Sequence, residues 1–277
     1  MRKLCAIALM AMCGVASAAA PGTPGGLPPD ANAAKAVLDK SPRHGEWIDI
    51  MVPNQKTPLK SYIVYPERKD KAPVVMVIHE IFGESDWVRG VADQLAADGF
   101  IAIAPDMLSG HGPNGGGTDS LGEQQAVVNK IREVKPAEVM ADLNATREYA
   151  LKLPSANGKT ATVGFCWGGG QSFAYAAAQP GLNAAAVYYG TPPKPEEMAK
   201  IKAPVAGFYG GNDNRVTGTV EGASAEMGKL NKPYTPHIYE GAGHGFLRQQ
   251  DGGGGANMKA TEQAWPATIA FLRENTK

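Results

Sequence analysis

The chain has 277 residues, in which 27 Lys plus Arg are balanced by 27 Asp plus Glu. A formal net charge of zero supplies no basic face for a polyanion, so nucleic acid is excluded as a partner. The length suffices for one large core, and neither a linker nor an internal repeat divides it.

Residues 1–18 read as a secretory signal. Arg2 and Lys3 form a positive start, residues 4–15 an apolar run too short to span a bilayer, and Ala16-Ser17-Ala18 a small-residue cleavage site. A Pro/Gly/Ala-rich leader, 19–40, precedes the folded domain, 41–277. The expectation is a periplasmic or secreted protein, cut after Ala18 and free of the membrane afterwards. Cys5 and Cys13 would leave with the signal, so the mature chain keeps Cys166 alone and can form no internal disulfide. An unpaired thiol in an oxidising compartment is a liability unless it is buried or used.

Residues 46–52 and 59–65 alternate apolar and polar side chains around Pro53-Asn54-Gln55, which predicts an antiparallel pair. Residues 73–79 and 100–106 are apolar throughout, the pattern of strands buried on both faces of a parallel sheet, with an amphipathic helix predicted over 87–98 between them. The stretch 107–121 is rich in Gly, Ser, Asn and Pro and reads as a structureless loop on a ligand-binding edge. Helices are predicted over 123–134 and 136–153, the second with Pro136 in its first turn. Further strands follow at 184–190, 203–210 and 235–240, with helices over 220–230 and 261–275 and a second glycine-rich loop at 249–257.

Between these elements, a β-branched run ends in Gly164-Phe165-Cys166-Trp167-Gly168 and passes directly into the small-residue segment 171–178. That is the layout of a nucleophile elbow with cysteine in the place of serine. Glycine is needed where a Cβ would strike the neighbouring strand or helix, and the new helix N-terminus is expected to favour the thiolate. By itself, a lone cysteine among apolar residues is more often a small core residue. Asp213 in Gly-Asn-Asp-Asn and His244 in Gly-His-Gly have their own plain readings as turn and loop residues. All three, however, fall just past the ends of predicted strands, in the order nucleophile, acid, histidine. In that constellation Cys166 attacks a carbonyl carbon, His244 holds or moves the proton, and Asp213 fixes the imidazole tautomer.

With these residues in place, the chain resembles the dienelactone hydrolase family of the α/β-hydrolases. The resemblance is carried by His79-Glu80-Ile81-Phe82-Gly83, Ala104-Pro105-Asp106, Gly164-Phe165-Cys166-Trp167-Gly168-Gly169, Gly211-Asn212-Asp213 and Gly241-Ala242-Gly243-His244-Gly245-Phe246, and spans about residues 45–275. It implies an α/β-hydrolase fold, with a mostly parallel central sheet and helices on both faces, and a cysteine hydrolase of esters or lactones that works without metal or cofactor. It also implies that Glu80 takes the thiol proton when substrate binds, that the backbone N–H groups of Ile81 and Trp167 form the oxyanion hole, and that Arg248 binds a substrate carboxylate. Glu80 can otherwise be a paired loop carboxylate, and Arg248 a surface charge. The family's second carboxylate-binding arginine is expected just after Asp106, where this chain has Met107-Leu108-Ser109-Gly110-His111 and no arginine. Trp167, Tyr188 and Tyr189 are candidates for a pocket wall, and His111 for a substrate contact. A monomer acting on a small-molecule ester or lactone is the expectation. The rival is a thiol protein on a hydrolase scaffold, in which Cys166 is oxidised or captures an electrophile.

Overall fold

The computed structural model describes residues 19–277; the signal expected over residues 1–18, with Cys5 and Cys13, lies outside them. An eight-stranded sheet runs through the centre in the order β1-β2-β4-β3-β5-β6-β7-β8. Its strands are β1 (Gly45–Ile50), β2 (Leu59–Val64), β3 (Ala72–Ile78), β4 (Ile101–Pro105), β5 (Ala156–Phe165), β6 (Ala184–Tyr188), β7 (Val205–Gly210) and β8 (Tyr234–Tyr239). The first two join antiparallel as their alternation predicts, and β4-β3-β5-β6-β7-β8 are parallel. The helices are α1 (Ala34–Leu38), α2 (Asp86–Ala97), α3 (Gln124–Ile131), α4 (Pro136–Lys152), α5 (Trp167–Ala178), α6 (Pro195–Met198), α7 (Asn214–Thr217), α8 (Val220–Lys229) and α9 (Ala256–Asn275).

The apolar run of β3 explains the layering. Successive strand residues face opposite sides, so Val75 and Val77 join one core with Trp87, Leu95 and Trp265 from α2 and α9. Met76 and Ile78 join another with Val127, Leu143 and Phe173 from α3, α4 and α5. Helices therefore cover both faces. One buried group opposes this packing at neutral pH. Asp142 on α4 accepts a hydrogen bond from Gln55 Nε2 at 2.6 Å, yet desolvation pushes its carboxyl up to about 6. A folded value above the unfolded one near 3.9 means that the folded state holds the proton more tightly, so the stability linked to it is full below about pH 4 and lost as the pH rises through 6. Asp142→Asn keeps an acceptor for Gln55 and is expected to stabilise by ~1–3 kcal/mol at pH 8 and hardly at all at pH 4. Urea melts at the two pH values check it.

Two stretches are more ordered than their composition suggests. The loop 107–121 is not structureless, because Asp106 accepts hydrogen bonds from the Leu108 N–H at 3.0 Å and from the Thr118 N–H and hydroxyl at 2.7 and 2.6 Å. Short 3-10 turns, Pro113–Gly115 and Thr118–Leu121, lie within it. The second is the leader, which packs across the domain. Gly22 donates to Gln94 on α2 and Gly25 to Asp98 just past its end, Trp87 Nε1 donates to the Pro29 carbonyl at 3.1 Å, and Ala31 donates to the Arg248 carbonyl at 3.0 Å. Arg43 and Asp93 form a buried ion pair beneath it. Helix α9 begins at Ala256, five residues before the predicted start, because the glycine-rich segment is short and folds into a 3-10 turn, Gly253–Gly255.

Candidate active site

Strand β5 delivers the chain to Cys166, and α5 begins at the next residue. Cys166 has φ 55° and ψ −114°, a sparsely populated backbone conformation for a residue with a side chain. The surroundings hold it there: its N–H donates to the Tyr188 carbonyl at 3.0 Å and its carbonyl accepts from the Gly170 N–H at 3.2 Å. A Cβ on Gly164 would collide with the Gly168 carbonyl, and one on Gly168 with the carbonyls of Ile78 and His79, so the turn can close only with glycine at both places.

The ends of β7 and β8 bring Asp213 and His244 to the same edge. Buried Asp213 Oδ2 accepts from His244 Nδ1 at 2.5 Å, and His244 Nε2 lies 3.1 Å from Cys166 Sγ. With Nδ1 committed as the donor to Asp213, Nε2 carries the lone pair that faces the thiol. The three side chains, separated by 78 and 31 positions in the chain, thus form one connected relay.

The thiol itself departs from expectation. Burial, assisted by the negative charge of Glu80, pushes Cys166 up to about 11, above its ordinary value. The backbone N–H groups of Trp167 and Ile81 and the charge of Arg215 pull the other way without prevailing. The helix N-terminus is present, but desolvation outweighs it, so the resting form is the thiol. Both expected oxyanion donors nevertheless act on the sulfur.

Glu80 is buried and receives Arg248 Nε on Oε2 at 2.7 Å. Burial raises its carboxyl pKa, while the Arg248 guanidinium beside it pulls the other way. Arg248 lies over the ring of Phe82, 4.7 Å from its centroid. It is therefore held within the protein by Glu80 and Phe82. His111 turns away to pair with Glu138 at 2.5 Å, and Tyr188 is core, bonded to Thr268 at 2.6 Å. Neither lines the cleft.

An open cleft of 460 Å³ above Cys166 is lined by Ile81, Trp167, Tyr189, Thr191 and Arg215 among others. Sequence reasoning missed Arg215, although its position two residues after Asp213, in the short helix α7 at the same sheet edge, was the available signal. Among the described residues no group of three His, Cys, Asp or Glu could hold a metal ion.

The sheet order, the strained turn and the relay at its edge define an α/β-hydrolase. The dienelactone hydrolase family profile matches residues 59–276, and the chain belongs to that family. A carboxymethylenebutenolidase from Pseudomonas sp. strain P51 is 34% identical over 210 residues, covering 74% of this chain and 86% of that one. A Yersinia pestis protein assigned to the same activity is 32% identical over 207 residues, covering 70% and 76%. A Klebsiella pneumoniae structure assigned as a dienelactone hydrolase is 26% identical, with TM-score 0.72, and covers 83% of this chain and 99% of that one. The chain is accordingly a carboxylic ester hydrolase.

Proposed function

We propose that the protein opens a small ester or lactone through a thioester on Cys166, with His244 and Asp213 completing the relay, and that it does so as an exported monomer. The contact of His244 Nε2 with Cys166 Sγ at 3.1 Å carries the reading. The relatives named for carboxymethylenebutenolidase activity favour a lactone bearing a carboxylate.

Because Arg248 is already bonded to Glu80, a substrate carboxylate that engages Arg248 must loosen Glu80. The freed carboxylate then takes the Cys166 proton, which explains how a thiol held at about 11 becomes a nucleophile only with substrate present. The thiolate adds to the carbonyl carbon, and the Ile81 and Trp167 N–H groups receive the oxyanion. The C–O bond breaks, and the leaving oxygen takes the proton back from Glu80. His244 next draws a proton from water, whose oxygen adds to the thioester; the acid departs, and that proton returns to sulfur.

Intact-protein mass spectrometry of the enzyme mixed briefly with activated esters and small lactones tests the reading. An acyl adduct that appears and decays is the expected result. Oxygen addition by dilute peroxide with no acyl adduct would instead support the redox alternative, which a thiol at about 11 and the absence of a second cysteine among the described residues disfavour.

A further inference from the structure

We propose that His79 is the positioning residue of the oxyanion site, setting the direction of the Ile81 donor N–H from beneath and buttressing the side chain of Trp167, which carries the other donor. This deepens the ester-cleaving reading and rests on it. His79 is the last residue before the Glu80–Ile81 turn, and its side chain is 0% exposed. Its Nε2 receives the Met107 backbone N–H at 3.1 Å. A backbone N–H can only donate, so Nε2 bears the lone pair and the ring proton sits on Nδ1. That Nδ1–H lies 2.7 Å from the Glu80 carbonyl oxygen and donates to it.

The carbonyl of Glu80 and the N–H of Ile81 belong to one peptide unit. No cis peptide occurs among the described residues, and across a trans peptide the two groups point in opposite directions. Pinning the carbonyl down onto His79 therefore turns the Ile81 N–H up, toward Cys166, where it acts on the sulfur. A second bond to the same oxygen, from the Gly83 N–H at 3.2 Å, closes the turn around it. The other donor, the Trp167 N–H, is placed by the start of α5, and the ring of His79 packs against that residue's side chain: the imidazole stacks on the Trp167 indole, with centroids 5.6 Å apart and planes 21° from parallel. One neutral, buried imidazole thus pins the peptide of one donor and packs against the side chain of the other. An oxyanion site works by donors fixed in advance of the charge they receive, so the ring acts on the transition state without touching substrate.

Two amide replacements separate the ring's two contacts. The shorter side chain of His79→Asn can present an N–H where Nδ1 stood, whereas the longer one of His79→Gln reaches the Nε2 position and keeps only the acceptor for Met107. Measured with a neutral activated ester, His79→Gln is expected to lose about 10²-fold in kcat with KM little changed. His79→Asn, despite the larger cavity it leaves, should stay within about tenfold of the natural enzyme. Alkylation of Cys166 by iodoacetamide needs no oxyanion donor; because the Ile81 N–H also favours the thiolate, the rate should fall in His79→Gln, but far less than kcat does, and stay near that of the natural enzyme in His79→Asn.

Equal kcat losses in the two variants, or alkylation falling in step with kcat, would overturn the assignment. Nitrogen NMR of the natural protein gives a reading independent of variant folding: a protonated Nδ1 and a bare Nε2 on His79 are expected, and the opposite tautomer overturns it. A natural enzyme that turns over no ester would instead overturn the parent reading, and this one with it.

Discussion

Replacing Cys166 by alanine is expected to lower kcat by about 10⁴- to 10⁶-fold on any ester the natural enzyme cleaves, because nucleophile and base act as one unit and no residual relay survives. The sulfur is the only atom at the elbow that can bond to an acyl group, and it stands 3.1 Å from Nε2 of His244. The fold should persist. Removing the sulfur takes away a group whose ionisation burial already opposes, and the strained turn is secured by backbone bonds to Tyr188 and Gly170 rather than by the side chain. The check is kcat on an activated ester beside circular dichroism and a thermal melt of the same preparation. A variant that keeps both its melt and more than about a hundredth of its turnover would remove Cys166 from the mechanism.

The second large effect belongs to Asp213→Asn, for which a loss of about 10⁴-fold in kcat is expected with the fold intact. Asp213 is buried and accepts from His244 Nδ1 at 2.5 Å. An asparagine amide can meet that nitrogen with its N–H group, which favours the tautomer whose proton sits on Nε2 and points a donor, not a lone pair, at the sulfur. Proton movement between Cys166 or water and the imidazole is then blocked, although all the atoms stay in place. Saturation kinetics with a neutral ester should show the loss in kcat with little change in KM. Comparable losses in both parameters would point to a disturbed cleft.

A good part of this was legible before the structure. The apolar runs of β3 and β4 announced a sheet covered on both faces, because residues that alternate sides must both be apolar when both sides are buried. Gly164 and Gly168 around Cys166 announced the elbow, since a strained turn wedged between backbone carbonyls leaves no room for a Cβ. The helix over 87–98 and the strand over 235–240 each shift by only a residue in the structure, as α2 and β8. Where the reading failed, long-range contacts were responsible. The loop after Asp106 looked unstructured by composition, yet a single carboxylate satisfies the backbone and side chain of Thr118 twelve positions away. His111 could not be separated from the cleft without knowing that Glu138 on α4 would reach it.

The kind of enzyme was written in the residue order: a chain of buried strands carrying a cysteine, an acid and a histidine at their ends, in the order of one family. Those properties are local in character. Hydrophobic periodicity, glycine at a strained turn and the residue that follows a strand are all set within a few positions, and parallel strands then align their ends on one edge without further instruction. The electrostatic state of the site, by contrast, came from the folded arrangement alone. That Cys166 rests as a thiol at about 11, that Arg248 is held by Glu80, and that His79 is neutral beneath the Glu80–Ile81 peptide all follow from how much water each group has lost and which charges stand near it. Desolvation and Coulomb energies depend on distances between residues far apart in the chain, and no local pattern records them.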